Sequence, residues 1–316
     1  MTLRKYLGNM KYKLFDVWPY QIHVYLADKK RELLQERIFN LPSIHNTKDG
    51  AKNSELELHM FCGLKYLDMG IVASWSLKRY FPDAPFFVHS DGTLNSASKN
   101  LWSRVIPSIR FTSKEEREER INNSYITDYP NLYEWRKKNW ASAKIIDVHF
   151  FGKSPKILLF DSDVLFFSKP TEIMHAAKRN NSIMRWNLDF QDAYSEKREV
   201  IERVIDAKIP PRFNSGILLT TRLERMHYMF LEEAIEKIKG SDLVDPYHVW
   251  SEQTYWAILS SKIDDSQPLS TANYVISKGN TKSDHIARHY VGIPSIRPRF
   301  FLEGVPHLLD GINDRS

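Results

Sequence analysis

The sequence predicts an α/β domain built on a mostly parallel sheet flanked by helices, and three observations carry that expectation. From Leu56 the pattern reads strand, helix, strand: an apolar run over Leu56–Cys62, apolar residues at helical spacing over Tyr66–Tyr80, and a second run over Phe86–His89. Lys156 to Phe167 reads K-I-L-L-F-D-S-D-V-L-F-F, and Ile157 to Phe160 fit a short strand buried on both faces, the pattern of a parallel sheet covered by helices. The chain has 316 residues and an ordinary globular composition, ample to bury such a core.

Residues 1–54 precede the first unit as an N-terminal extension, and residues 55–316 form the main domain. The extension carries the aromatics Tyr6, Tyr12, Phe15, Trp18, Tyr20 and Tyr25, a helical segment over Ala27–Phe39, and a polar linker over Asn46–Asn53. A packed accessory helix accounts for it, with a peripheral membrane contact as the alternative. Beyond the second strand, Asp91 and Gly92 make a turn. In nucleotide-binding α/β units, base and ribose contacts lie in such loops after the first strands, here at Cys62, Gly63 and Asp91. Neither G-x-G-x-x-G nor G-x-x-x-x-G-K-[ST] occurs, so dinucleotide and P-loop readings lose their main support.

Ser113–Arg120 is a charged run that reads as a solvated helix face. Asn131–Val148 reads as one helix carrying Trp135, Trp140, Lys144 and Asp147, which leads into the Ile157–Phe160 strand. At the end of that strand stand Asp161 and Asp163, separated by Ser162. In an extended segment side chains two apart share one side, roughly 6.5–7 Å apart, so both acids can address one ligand. A divalent cation carrying a diphosphate suits such a pair, although in a loop the same tripeptide makes a turn or a helix cap.

A short helix is expected after Pro170, then a strand over Ser182–Trp186 and a long loop over Asn187–Glu196 that contains Asp189. Asn214, Ser215 and Gly216 run into a buried strand over Ile217–Thr220, where small residues permit close approach of a ligand or make a plain turn. A long helix follows over Leu223–Lys239. Ser251 then reads as the cap of a helix presenting Glu252 and Gln253 in its first turn. Near the end lie His285 and His289, four residues apart, with Tyr290-Val291-Gly292 at a strand end, before Arg297, Arg299, Phe300 and Phe301.

The formal net charge of +6 suits anionic partners such as nucleotides or acidic lipid surfaces. The basic residues are scattered among acids, which argues against nucleic acid. One cysteine excludes an internal disulfide framework and points to a reducing compartment. With no apolar run long enough to cross a bilayer and no signal-like apolar core, the expected location is cytoplasmic or membrane-peripheral.

In this order the motifs resemble those of the GT-A glycosyltransferases, especially bacterial relatives of glycosyltransferase family 8, over roughly residues 56 to 301. Asp161-Ser162-Asp163 is similar to the family's D-x-D, and Asn214-Ser215-Gly216 to its N-[AS]-G. Glu252-Gln253 is similar to its acidic-Gln pair, His289-Tyr290-Val291-Gly292 to its late H-[FY]-x-G, and Lys144 to the basic residue before D-x-D. The resemblance implies the GT-A fold with a mixed, mostly parallel sheet. It also implies Mn²⁺ or Mg²⁺ held by Asp161, Asp163 and His289, and a UDP-sugar donor whose hexosyl unit passes to a carbohydrate or glycan-precursor acceptor.

The K-P-W that follows the late histidine motif in family 8 is replaced here by I-P-S-I-R-P-R-F, so Arg297 is the candidate for the missing lysine's phosphate contact. This departure leaves retention or inversion open. An inverting enzyme needs a base, for which Glu252 and Asp189 are candidates, whereas a retaining one would use them to position sugars. Two other readings of the same architecture are a sugar-1-phosphate nucleotidyltransferase and a non-catalytic nucleotide- or glycan-binding protein.

Overall fold

A computed structural model describes residues 20–47 and 54–313. The aromatics expected at Tyr6, Tyr12, Phe15 and Trp18, and linker residues 48–53, lie outside the described residues. Among the described residues ten strands follow in chain order: β1 (Leu56–Cys62), β2 (Phe86–Ser90), β3 (Ile109–Thr112), β4 (Lys156–Phe160), β5 (Val164–Phe166), β6 (Ile183–Leu188), β7 (Phe213–Thr221), β8 (Asp265–Pro268), β9 (Tyr274–Val275) and β10 (Ala287–His289). Seven form one sheet in the order β3-β2-β1-β4-β7-β6-β8. The first four are mutually parallel, and β7 runs antiparallel between β4 and β6. A small second sheet, β5-β10-β9, branches off at the end of β4.

The all-apolar run of β4 is explained by two cores, one on each face. Leu158 and Phe160 pack into one, and Ile157 and Leu159 into the other. The helix over Leu67–Lys78 covers the first core, and the helices over Arg225–Ser241 and Ser251–Ser260 cover the second. The accessory helix starts earlier than expected and spans Tyr20–Phe39. Its Leu34 and Ile38 join the first core, and Arg31 grips Asp68 at 2.5 and 2.6 Å. Among the described residues no helix is long and apolar enough to cross a membrane.

Several expectations are corrected. The segment Asn131–Val148 is not one helix: an α-helix covers Pro130–Lys138, and short 3₁₀ turns cover Trp140–Lys144 and Asp147–Phe150. Asn139 breaks it by leaving the helical region and capping Ala141 N with its side chain at 2.9 Å. The charged run is a helix over Lys114–Asn122, but Arg117 turns inward to Ser90 O at 2.7 Å and to Asp147 at 3.3 Å. Asn214, Ser215 and Gly216 lie within β7 and not ahead of it. Ser251 does not cap its helix; its hydroxyl accepts from Trp135 Nε1 at 2.9 Å and Asn139 Nδ2 at 2.8 Å. His285 and His289 are separated by the start of β10 and do not form a pair.

Beneath the parallel strands runs a buried polar chain. Glu57 accepts from Lys153 N and Ser154 N at 3.0 Å, and from Arg222. It therefore acts as acceptor toward His59 Nε2 at 3.0 Å, which leaves His59 Nδ1 to accept from His89 Nε2 at 2.9 Å. His89 Nδ1 in turn accepts from the Thr112 hydroxyl at 2.7 Å. This order holds only while both imidazoles are neutral. Burial lowers the pKa of His59 and of His89, and also of His149, whose Nδ1 accepts from Leu223 N at 3.0 Å.

Groups depressed in the folded state bind protons first in the unfolded chain, so stability is full above the ordinary histidine pKa and declines as pH falls below it. Each histidine contributes a slope of about 1.4 kcal/mol per pH unit. Urea unfolding followed from about pH 7.5 to about pH 5.5 should show the midpoint falling steadily, and a flat midpoint would refute the neutral chain.

Candidate functional site

The site begins where β4 stops. Asp161 N donates to Gly216 O at 2.9 Å, and Val164 N returns to Asp161 O at 3.2 Å, so Asp161-Ser162-Asp163 is a tight turn between β4 and β5. The carboxylates converge through this turn and not through an extended strand, the geometry expected from sequence. β5 then leaves the main sheet and pairs antiparallel with β10, with Val164 opposite His289. Tyr290 N donates to Asp163 O at 2.9 Å and fixes that register.

His289 Nε2 lies 3.1 Å from Asp163 Oδ1 and 3.8 Å from Asp161 Oδ2. One ligand atom from each of Asp161, Asp163 and His289 falls within 4.8 Å of the others. The orientation of the ring follows from its neighbours. Asn214 Nδ2 donates to Asp189 Oδ2 at 2.8 Å, so Asn214 Oδ1 is the acceptor, taking Gly216 N at 2.9 Å and His289 Nδ1 at 3.0 Å. His289 Nε2 thus faces two carboxylates and needs a proton or a cation between them. Two hard carboxylates and an oriented imidazole suit a Mn²⁺-like cation, and the hydrogen bond behind the ring is the kind that steadies metal-bound histidines.

Gly216 serves this arrangement by its missing side chain. A Cβ there would sit 2.1 Å from His289 Cε1 and 2.2 Å from Nδ1. The close approach expected of a ligand is made by the imidazole itself.

Lys144 and Arg297 flank the acids. Lys144 Nζ donates to Asp161 Oδ1 at 2.5 Å, and Arg297 Nη2 lies 2.5 Å from Asp163 Oδ2. Burial opposes the charge on Asp163, but Arg297 and His289 outweigh it and hold the carboxyl below the ordinary range. Burial likewise opposes the Lys144 charge, which Asp161 and Glu252 more than offset, so its pKa is raised. Glu252 is buried, accepts from Ser215 Oγ at 3.0 Å, and has its other oxygen without a hydrogen bond. Burial raises its pKa, reinforced by Asp161 and moderated by Lys144.

The other candidates have defined places. Both oxygens of Asp189 are used, by Asn214 and by Phe190 N at 2.7 Å, so it orients Asn214. Gln253 Nε2 donates to Ala193 O at 2.8 Å and ties down the loop after β6. Asp91 accepts from Thr93 N at 2.9 Å, and a Cβ on Gly63 would meet the Asp91 carboxylate at 2.0 Å, so the loops after β1 and β2 lie in contact. The Cys62 thiol points into the core, toward Gly63 O and Tyr66 O. A Cβ on Gly292 would lie 3.4 Å from Arg297 Nη2, and Ser162 is the half-buried centre of the turn.

No known family model matches the sequence, and no curated protein matches it either. Solved structures do match in fold. The bifunctional glycosyltransferase WbbM, in its apo form, aligns with a TM-score of 0.51 at 12% identity, covering 86% of this chain and 53% of that one. The fold is the GT-A fold. The galactosyltransferase LgtC, in complex with donor and acceptor sugar analogues, aligns at 0.46 with 16% identity over 75% of this chain and 87% of that one. Core-mannan synthase A from Aspergillus fumigatus, in a Mn/GDP form, aligns at 0.47 with 11% identity over 84% and 89%. Within the GT-A fold of this chain, the acidic turn lies at the carboxyl end of a parallel strand, where open α/β sheets gather ligands.

Two outcomes follow. Arg297→Ala removes a cation from Asp163, so the variant should melt earlier in EDTA, by a loss of about 1–2 kcal/mol given the partial exposure of Arg297, and should gain more from added Mn²⁺ than the parent. Equal Mn²⁺ shifts in both proteins would show that Arg297 does not compete for Asp163. Gly216→Ala should displace His289, cost about 1–3 kcal/mol and abolish the Mn²⁺-dependent shift; a normal metal response in that variant would disprove the contact's importance.

Proposed function

We propose that this protein is a metal-dependent glycosyltransferase of the family 8 type, moving a hexosyl unit from a nucleotide sugar, UDP-linked, to an acceptor hydroxyl. The observation that carries the proposal is the convergence of Asp161, Asp163 and His289 on one point in a GT-A fold, with Lys144 and Arg297 beside them. That arrangement matches a diphosphate leaving group, which needs positive charge on its oxygens as its bond to the sugar breaks. A divalent cation held by the three ligands supplies Lewis-acid charge stabilisation there.

The chain's own residues complete the chemistry. Lys144 keeps Asp161 oriented and adds positive charge at the same edge. Arg297, half-exposed on a loop, is free to turn from Asp163 to the diphosphate once a cation takes that carboxylate. Glu252, with one oxygen on Ser215 and the other unpaired, is the group suited to a sugar or acceptor hydroxyl. Asp189 acts one step behind, through Asn214 on His289. The loop after β1 is a single 3₁₀ turn, Leu64–Tyr66, and lacks the glycine-rich phosphate cradle that a nucleotidyltransferase would need.

Thermal-shift titration with nucleoside diphosphates tests the reading. UDP should stabilise the protein in Mn²⁺ and not in EDTA. Asp163→Ala should remove that stabilisation and lower UDP-sugar hydrolysis by at least about 10²-fold. Metal-independent UDP binding, or full hydrolysis by the variant, would overturn it.

A further inference from the structure

A recess lies at the start of the helix that carries Glu252, and none of the residues assigned to the donor lines it. It has a volume of about 350 Å³ and is walled by the chain from Asp192 to Glu199 on one side and by His248 and Trp250 on the other. The indole of Trp250 is 47% exposed, and its neighbours Val249 and Trp140 are 66% and 75% exposed. Asn139 joins the segments that carry them, since its Nδ2 donates to His248 O at 3.0 Å and to Ser251 Oγ at 2.8 Å. Exposed apolar groups gathered on the rim of a recess mark a binding surface better than the same groups scattered singly.

The recess is built rigidly. Tyr194 is buried and donates to Pro210 O while accepting from Phe213 N. Ser195 N donates to Thr254 Oγ1 at 2.9 Å, on the first turn of the helix that carries Glu252. Asp192 accepts from Arg212 N at 2.6 Å, and Arg198 is already shared among Asp192, Glu199 and Glu202. The lining sets the exposed Glu196 and the already engaged Asp192 beside Lys197 and the shared Arg198, a surface of mixed charge and not a phosphate cradle. A flat indole beside an exposed carboxylate is matched to a neutral pyranose, whose C–H face packs on the ring while an edge hydroxyl is hydrogen-bonded.

Chain connectivity sets the distance to the donor end. Trp250 is two residues from Glu252 and Asp192 is three from Asp189, so their Cα atoms lie at most about 7 Å and about 11 Å apart. The geometry points to this recess as the subsite for the acceptor saccharide, with Trp250 as its stacking platform and Glu196 as a hydroxyl acceptor. This inference rests on the glycosyl-transfer reading for the word acceptor, but saccharide binding in the recess can be measured without it.

The test is saturation-transfer NMR and calorimetry with a panel of methyl hexopyranosides, lactose, maltose and cellobiose, on the parent, Trp250→Ala, Trp250→Phe and Glu196→Gln. At least one saccharide should bind the parent. Trp250→Ala should weaken it about tenfold while Trp250→Phe, which keeps a flat ring, retains most of the affinity. Glu196→Gln, at an exposed position, guards against a folding artefact and should also weaken binding. The UDP–Mn²⁺ thermal shift should be unchanged in all three variants. No saccharide bound by the parent, or equal affinity in parent and Trp250→Ala, overturns the subsite. Loss of the UDP shift in the parent would sink the donor reading and leave the saccharide result standing.

Discussion

The constraint on which the site depends is the burial of Asp163. An ionised carboxylate taken out of water is costly unless opposite charge and hydrogen bonds meet it, and here both come from the far end of the chain. His289 arrives on β10 and Arg297 on the loop beyond it. The small sheet exists to deliver them: β5 departs from β4 directly after the acidic turn, and β10 pairs with it so that His289 stands opposite Val164. Gly216 then clears room for the imidazole, and Asn214, held by Asp189, sets its orientation. Four separated segments are therefore locked by one electrostatic requirement.

The opposite end of the sheet solves a similar problem with neutral groups. Glu57 is buried among backbone donors and Arg222, while His59 and His89 pass a single direction of hydrogen bonds across to Thr112. Arg222 also donates to His149 O and Ser154 O, so it ties the loop before β4 to the end of β7. β4 and β7 are the strands that place Asp161 and Gly216, so the network under the sheet steadies the register that the site above it uses.

Much of this was legible in the sequence, and the parts that were not have physical reasons. β1 was readable to the residue because its inward face, Leu56, Leu58, Met60 and Cys62, is wholly apolar. β3 escaped because Ile-Arg-Phe-Thr alternates over only four residues at the sheet edge. The helix break at Asn139 was hidden because asparagine caps and helix-interior residues look alike without coordinates. Asp161, Asp163 and His289 were expected together, the last as a ligand by resemblance alone, and the structure brings one atom of each within 4.8 Å, a convergence no spacing rule predicts for residues joined through a second sheet. The closeness of His289 to Gly216 was not legible: small residues advertise close approach but not what approaches. Arg117 and Glu57 were invisible as core residues because buried charge is the exception that composition rules count against.

The charge balance of the site shows why an exchangeable cation fits it. Asp161 and Asp163 have one fixed neighbour and one movable neighbour, Lys144 buried on one side and Arg297 half-exposed on the other. A lysine held by burial cannot leave Asp161 without stranding both charges, whereas an arginine at the rim can swing into solvent when another cation meets Asp163. The asymmetry fits the proposed roles, Lys144 orienting Asp161 and the Asp163 side open to exchange. Under the proposed reading, a cation held by Asp163 would take over the charge that Arg297 now supplies and leave that guanidinium to an accompanying anion. Arg297 would be compatible with phosphate contact, because a planar fork can serve a carboxylate or a phosphate in turn.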